Sequence, residues 1–444
     1  MISSDQLRGL VDTIVVVMME NRSFDHVLGF LSHESFDART DIDGLHTPSP
    51  SFDWDNPDDA GNVYPPTATP DSYLPCDLPH SRTEVATELD SSGMTGFIKA
   101  YFSSQNIDQS PVPMRFCRPQ DVPVTAALAR SNTVCDRWFA SLPDDTQPNR
   151  LMSISGYSLI DSTASVKPPL HLLPDQTTIF DWLESKGIAF EICVDAKPIA
   201  DVGVPSNLLL MKSQWRHVIE RGRPLDALLA DWKDPAKKAP GVIYCEPFYN
   251  DFATVVELGM HGNCNHAPLP MAYGEDFLRR VYGALTSNSS KWAKTVLIIC
   301  YDEHGGFFDH VPPPNMPYAA PPGNTWVDAS PFSTLGVRIP GLVVSPLVEP
   351  KSAFHGRLDH TSILQLMVDR FGSAQDLAYF GQAPLRKANQ VVSLADVLTR
   401  ASPRLDVLAL PSVALPASNA APSAVSDLGR MFRGVIADQP AKGR

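Results

Sequence analysis

Two acidic groups stand directly after apolar runs. Glu20-Asn21 follows TIVVVMM (13–19), and Asp302-Glu303-His304 follows TVLIICY (295–301). Carboxylates delivered side by side repel one another unless a cation sits among them, and hard oxygen donors suit a divalent metal. The bland alternative is helix N-capping by acidic residues. It explains one such strand end as well as a metal does, and two of them, each followed by an FDH sequence, less well. A third segment, SLPDDTQPNR (141–150), places Thr146 before a small-residue apolar stretch able to open a helix. A Thr hydroxyl becomes a nucleophile when a metal lowers its pKa. Taken alone, the segment is explained better by an N-cap Thr in a turn.

The chain has twelve histidines. His80, His266 and His360 stand in polar, turn-like contexts before plausible helices, where an imidazole can reach an anion or a metal. His304 and His310 flank the Gly305-Gly306 turn and either join the site or shape its loop. His33, His46, His171, His217 and His355 read as structural or exposed.

The elements that must position these groups follow from periodicity. Short β-branched runs recur at 13–19, 189–195, 242–246, 295–303 and 341–346, with helical patterns at 178–185, 273–285 and 361–371. Strands alternating with helices predict an α/β protein with a mostly parallel central sheet covered on both faces. Ligands in such sheets bind beyond the carboxyl ends of the strands, where both acidic groups fall. Residues 1–400 read as one domain, with loop insertions at about 34–90. Residues 401–444 read as an Ala/Pro-rich tail, with one short helix near Met431 as an option.

Composition bounds the partners. The 36 Lys and Arg against 50 Asp and Glu leave a formal charge of −14, which opposes nucleic-acid binding through a general basic patch. No apolar stretch is long enough to span a bilayer. The N-terminus shows no basic n-region with a cleavage site, so a cytoplasmic location is expected, or secretion if a leader has been removed. The seven scattered cysteines, without a CxxC pair, suit a reducing compartment. Oligomeric state is not legible.

MMENRSFDHVLG (18–29), PHSRTEVATELDSSGMTGF (79–97), DRWFASLPDDTQPNRLMSISG (136–156), NHAPLPMAYGEDFLRRVYGAL (265–285), TVLIICYDEHGGFFDHVPPP (295–314) and LDHTSILQLMVDRFG (358–372) occur in this order. Together they resemble the bacterial phosphoesterase family of C-type phospholipases and a related acid phosphatase, over most of residues 11–375. The resemblance implies a three-layer α/β/α sandwich of the alkaline-phosphatase superfamily. It implies that Glu20, Asn21, Asp302 and Glu303 hold a metal with Thr146 as metal-bound nucleophile, a position that carries Ser or Thr in the family. It further implies that His80, His266 and Asn21 bind phosphoryl oxygens, with His304 and His360 as further members of the substrate shell. Thr146 to Arg150 also has the sulfatase spacing Cys/Ser-x-Pro-x-Arg. Thr cannot become formylglycine, which favours phosphate over sulfate esters.

The expected activity is metal-dependent phosphate-ester hydrolysis through a phosphothreonine intermediate, with His266 protonating the leaving oxygen. Phospholipase C-like cleavage of a phosphodiester or phospholipid ranks first, acid phosphatase action on monoesters second, and a non-catalytic phosphate-binding protein third. One divalent ion is expected: Ca, Mg, Mn or Zn. Residues 107–116 and 34–75 either form an apolar rim for a lipid or simply cover the core.

Overall fold

The computed structural model describes residues 2–47, 54–72, 74–90, 93–104, 110–166, 172–195, 206–249 and 262–416. The option of a helix near Met431 lies outside the described residues, as do His171, residues 48–53 and 73 of the 34–75 segment and residues 107–109 of the possible rim.

Eight strands form the central sheet: β1 (Thr13–Met19), β2 (Thr133–Cys135), β3 (Phe190–Val194), β4 (Gly222–Pro224), β5 (Val242–Glu246), β6 (Thr295–Tyr301), β7 (Leu342–Val344) and β8 (Ser352–Phe354). Their order is β8-β2-β7-β6-β1-β5-β3-β4. All pairings are parallel except those of β7, which runs antiparallel to both β6 and β2. The five β-branched runs of the sequence are all strands. The three-residue strands β2, β4 and β8 carry too little pattern to be predicted.

The centre of the sheet explains the position of the acidic groups. Every residue of β1 and β6 is buried, as near-continuous apolar runs require when both faces of a sheet are covered. The two strands pair in step, from Thr13 with Thr295 to Met19 with Tyr301. Glu20 and Asp302 therefore leave adjacent strands at the same level and the same edge. Two groups of helices flank the sheet. Ala272–Thr286 packs with Pro123–Ser131 and Leu225–Lys233, while Thr361–Phe371 packs with Ser4–Leu10, Thr146–Ser155 and Ala383–Ala388.

Among its described residues, region 34–90 contains short strand pairings and one helix, Arg82–Leu89. Residues 402–416 run without helix or strand, and Leu405, Val407 and Leu415 are exposed. No helix among the described residues is long and apolar enough to cross a membrane.

Candidate active site

At the carboxyl edge of β1 and β6 the two loops are laced together. Asn21 N–H donates to Asp302 Oδ1 (2.9 Å), which also accepts from Glu303 N–H (2.8 Å), and Arg22 N–H donates to the Glu303 carbonyl (3.0 Å). Asn21 is held at φ 58°, a left-handed conformation costly for most residues and common at functional loops. Gly305 makes the close approach possible. At φ 64° it needs glycine's freedom, and a Cβ there would lie 2.3 Å from the Asn21 carbonyl oxygen. Glu20, Asn21, Asp302 and Glu303 are all buried.

Thr146 opens the helix Thr146–Ser155, and Asp145, not Thr146, occupies the N-cap position. The capping alternative for Thr146 therefore falls. The Asp145 carboxylate is turned away from the helix, accepting from Thr163 N–H and Oγ1 and from Ser162 Oγ. Asn149 shapes the preceding turn, donating to the Leu142, Asp144 and Asp145 carbonyls. One turn after Thr146, on the same helix face, Arg150 pins this helix to the strand edge. Its Nε donates to Asp302 Oδ2 (3.0 Å), Nη2 lies 3.3 Å from Glu20 Oε1, and Nη1 donates to Tyr249 Oη (3.1 Å).

The histidines divide by what their nitrogens touch. His80 Nδ1 donates to the Leu78 carbonyl (2.6 Å), leaving Nε2 3.2 Å from the Asn21 amide nitrogen and 3.9 Å from Glu303 Oε1. Burial pulls its pKa down, but Glu303 and Asp77 outweigh that and raise it to about 10. His266 Nε2 lies 3.3 Å from Asp77 Oδ1, with its ring roughly perpendicular to that of His80 at 6.1 Å. His304 is clamped between Glu88 Oε2 (2.7 Å) and Glu303 Oε2 (3.2 Å), which raise its pKa to about 9 against the opposing effect of burial. His360 is different. Its Nε2 donates to the Tyr301 carbonyl (2.9 Å), its Nδ1 accepts from Ser141 N–H (3.4 Å), and burial lowers its pKa to about 4. A neutral ring engaged by backbone on both sides fastens the helix Thr361–Phe371 to the end of β6.

The structure thus gathers Glu20, Asn21, Asp302, Glu303 and His80 at one edge. It adds Arg150, Asp77, Glu88 and Tyr249, to which the sequence assigned no role. Only Arg150 had a usable signal, its spacing of four from Thr146.

The Phosphoesterase family model matches residues 11–374. The chain belongs to the Phosphoesterase family. Among relatives, it is 34% identical to non-specific phospholipase C6 of Arabidopsis thaliana, covering 78% of this chain and 64% of that protein. It is 32% identical to non-specific phospholipase C1 of the same plant, covering 81% and 66%. The chain thus spans just under two thirds of the length of these relatives. The phosphonate monoester hydrolase of Agrobacterium radiobacter aligns over 83% of this chain and 77% of its own, at 10% identity and a TM-score of 0.35.

In this Phosphoesterase-family chain the strand-edge groups fit a cation. Glu20 Oε2, Asn21 Oδ1 and Glu303 Oε1 are buried and accept no hydrogen bond among the described residues. Such atoms are costly without a partner. Burial raises the Glu20 pKa to about 7 and also raises that of Asp302, although Arg150 opposes both shifts. Oxygen donors on adjoining loops make a hard ligand set suited to a divalent ion.

A separate cavity of about 840 Å³ opens at the opposite end of the strands, beside Thr13, Phe190 and Gly241. Its cations are largely engaged: Arg223 pairs with Glu191 and Asp231, and Lys291 donates to carbonyls at the end of the helix Leu225–Lys233.

Proposed function

We propose that this chain is a metal-dependent phosphoric ester hydrolase of the phospholipase C type, with Thr146 as nucleophile. The observation that carries the reading is the set of unpartnered oxygens on Glu20, Asn21 and Glu303, at the edge where Arg150 anchors the helix that Thr146 opens. The similarity to non-specific phospholipases C supports a phosphodiester substrate, cleaved to release a phosphorylated head group.

Glu20, Asn21, Asp302 and Glu303, with the Thr146 hydroxyl, would hold one divalent ion. When bound, that ion lowers the hydroxyl's pKa and offsets phosphoryl charge. Thr146 gives up its proton to solvent and its oxygen attacks phosphorus in line. The bond to the leaving oxygen breaks as His266 passes that oxygen a proton, so the first product leaves as an alcohol. The phosphoryl group stays on Thr146. Water then attacks, His266 takes its proton, and the phosphorylated head group departs as Thr146 is reprotonated from solvent. His80 and the Asn21 amide orient the non-bridging oxygens, an electrostatic role aimed at charge that develops in the transition state. His304 positions Glu303, and His360 holds the neighbouring backbone.

Thr146→Ala is expected to lower turnover by about 10⁴-fold or more while metal stays bound, as loss of a nucleophile does elsewhere. Near wild-type rates would overturn the assignment. Rates on bis-p-nitrophenyl phosphate and p-nitrophenyl phosphate, with and without chelator, test the rest. Preference for the diester supports the phospholipase C reading, and preference for the monoester replaces it with acid phosphatase.

A further inference from the structure

Asp77 stands three residues before His80, in a segment where nothing in the sequence marked it. Its Oδ1 is buried, and two imidazole nitrogens face it: His266 Nε2 at 3.3 Å and His80 Nδ1 at 4.0 Å. Three such groups invite a metal reading, since their ligand atoms all lie within 4.8 Å of one another. The hydrogen bonding argues against it. His80 Nδ1 donates to the Leu78 carbonyl at 2.6 Å, so that nitrogen has no lone pair to offer an ion, and Nε2 is turned to the Asn21 amide at 3.2 Å. With His80 committed, His266 is the imidazole left for Asp77.

The seat of this pair is rigid. Leu78, next to Asp77, and Ala267, next to His266, belong to one small apolar cluster with Tyr101, Val112 and Phe307. A backbone hydrogen bond from Leu74 to Pro268 (2.9 Å) ties the same two segments together. The Asp77 carboxyl is held below its usual range, because His266 and His80 outweigh the opposing effect of burial.

We propose that Asp77 is the positioning residue for His266, holding Nε2–H so that Nδ1 carries the proton to the leaving oxygen. This rests on the reading of His266 as the acid. Before transfer both ring nitrogens are protonated and Asp77 stabilises the imidazolium. As the phosphorus–oxygen bond breaks, the Nδ1 proton moves to the leaving oxygen. The ring becomes neutral and keeps Nε2–H on Asp77, ready to accept a proton from water in the second step. A carboxylate fixing the tautomer and direction of a proton-transferring His is a recurrent arrangement.

The test is leaving-group dependence in the metal-loaded enzyme. p-Nitrophenol departs without help, whereas benzyl alcohol needs a proton. Asp77→Asn is expected to lower kcat/KM on benzyl phosphocholine, which reads the steps up to departure of the alcohol, by about 10²-fold, the scale of general acid–base catalysis, while kcat/KM on p-nitrophenyl phosphocholine stays nearly unchanged. His266→Asn should show the same selectivity, and the double variant should be no worse than His266→Asn, because one residue acts through the other. The ratio of the two rates within one sample is independent of how much protein has folded. Equal losses on both esters in Asp77→Asn, or losses that multiply with those of His266→Asn, overturn the proposal. If His266→Asn is selective and Asp77→Asn is not, Asp77 alone is misassigned. If His266→Asn itself shows no leaving-group dependence, the acid assignment falls and takes Asp77 with it, whatever Thr146→Ala has shown.

Discussion

The segments 20–26 and 302–310 build two acidic clusters of opposite character. At the strand edge, Glu20, Asn21 and Glu303 each keep a buried oxygen without a hydrogen bond among the described residues. A few residues further on, the two FDH sequences meet each other. Arg338 Nη2 donates to Asp25 Oδ1 (3.1 Å), and His310 N–H and Nδ1 donate to Asp25 Oδ2 (2.8 and 2.6 Å). Asp309 Oδ1 accepts from Arg338 Nε (2.8 Å) and Val311 N–H (2.9 Å), while its Oδ2 accepts from Asp25 N–H (3.2 Å). His310 Nε2 reaches Asp43 Oδ1 (3.1 Å), and the Trp54 ring stacks on His310 at 4.5 Å. Asp25, Asp309 and His310 are close enough together to hold an ion, but Arg338 already supplies the positive charge. A saturated cluster binds segments together, whereas an unsaturated one leaves buried oxygens that the proposed ion would satisfy. Hydrogen-bond satisfaction separates them, and the number of carboxylates does not.

The sharpest way to break this comparison is to remove the cation from the saturated cluster. Arg338→Met leaves Asp25 and Asp309 buried without their countercharge and is expected to cost about 3–5 kcal/mol, read from denaturant unfolding. An unchanged midpoint would show that the cluster is not a structural clamp. At the strand edge the corresponding experiment is addition. A divalent ion at about a hundred times its dissociation constant should stabilise the protein by about 2.7 kcal/mol, seen as a rise in Tm. Glu20→Gln should abolish that rise and Arg338→Met should preserve it.

The two clusters also differ in pH response. Burial pulls the His310 pKa down, but Asp25 and Asp43 outweigh it and raise it to about 9, above the roughly 6.5 of an unperturbed imidazole. A raised pKa contributes stability that is fully present below about 6.5 and is lost as pH rises through about 9. Tm should therefore show an alkaline decline that is absent from His310→Gln. A decline of equal size in the variant would assign it elsewhere. The smallest effect is expected for Glu20→Gln in metal-free protein. Its carboxyl already gives up its charge near pH 7, so the stability change should stay within about 1 kcal/mol. A loss of several kcal/mol would mean that the strand edge, too, is a structural clamp.

Much of the fold was legible, and the reason is local. β1 and β6 are apolar runs that end in charge, and burial on both faces follows from that pattern alone. β7 was legible as a strand but not as the antiparallel exception, because its direction is set by the connection that delivers it. Among site residues, the acids at the strand ends were visible through their position after the runs. His360 occupied the same kind of pre-helical context as His80 and His266, yet among the described residues its nitrogens hydrogen-bond to backbone. His310 was open to either joining the site or shaping its loop, and it meets Asp25 in the clamp beside the site.

The sequence by itself determined which apolar runs would be strands and that acids would follow two of them, because both depend on residue order along single segments. Tertiary structure decided which acids are satisfied. Arg338 finds Asp25 across 313 residues and Arg150 finds Asp302 across 152. It also decided that β1 and β6 pair in step, so that Glu20 and Asp302 emerge together. Whether a buried oxygen has a partner depends on what packs against it in space, and spacing along the chain carries no record of that.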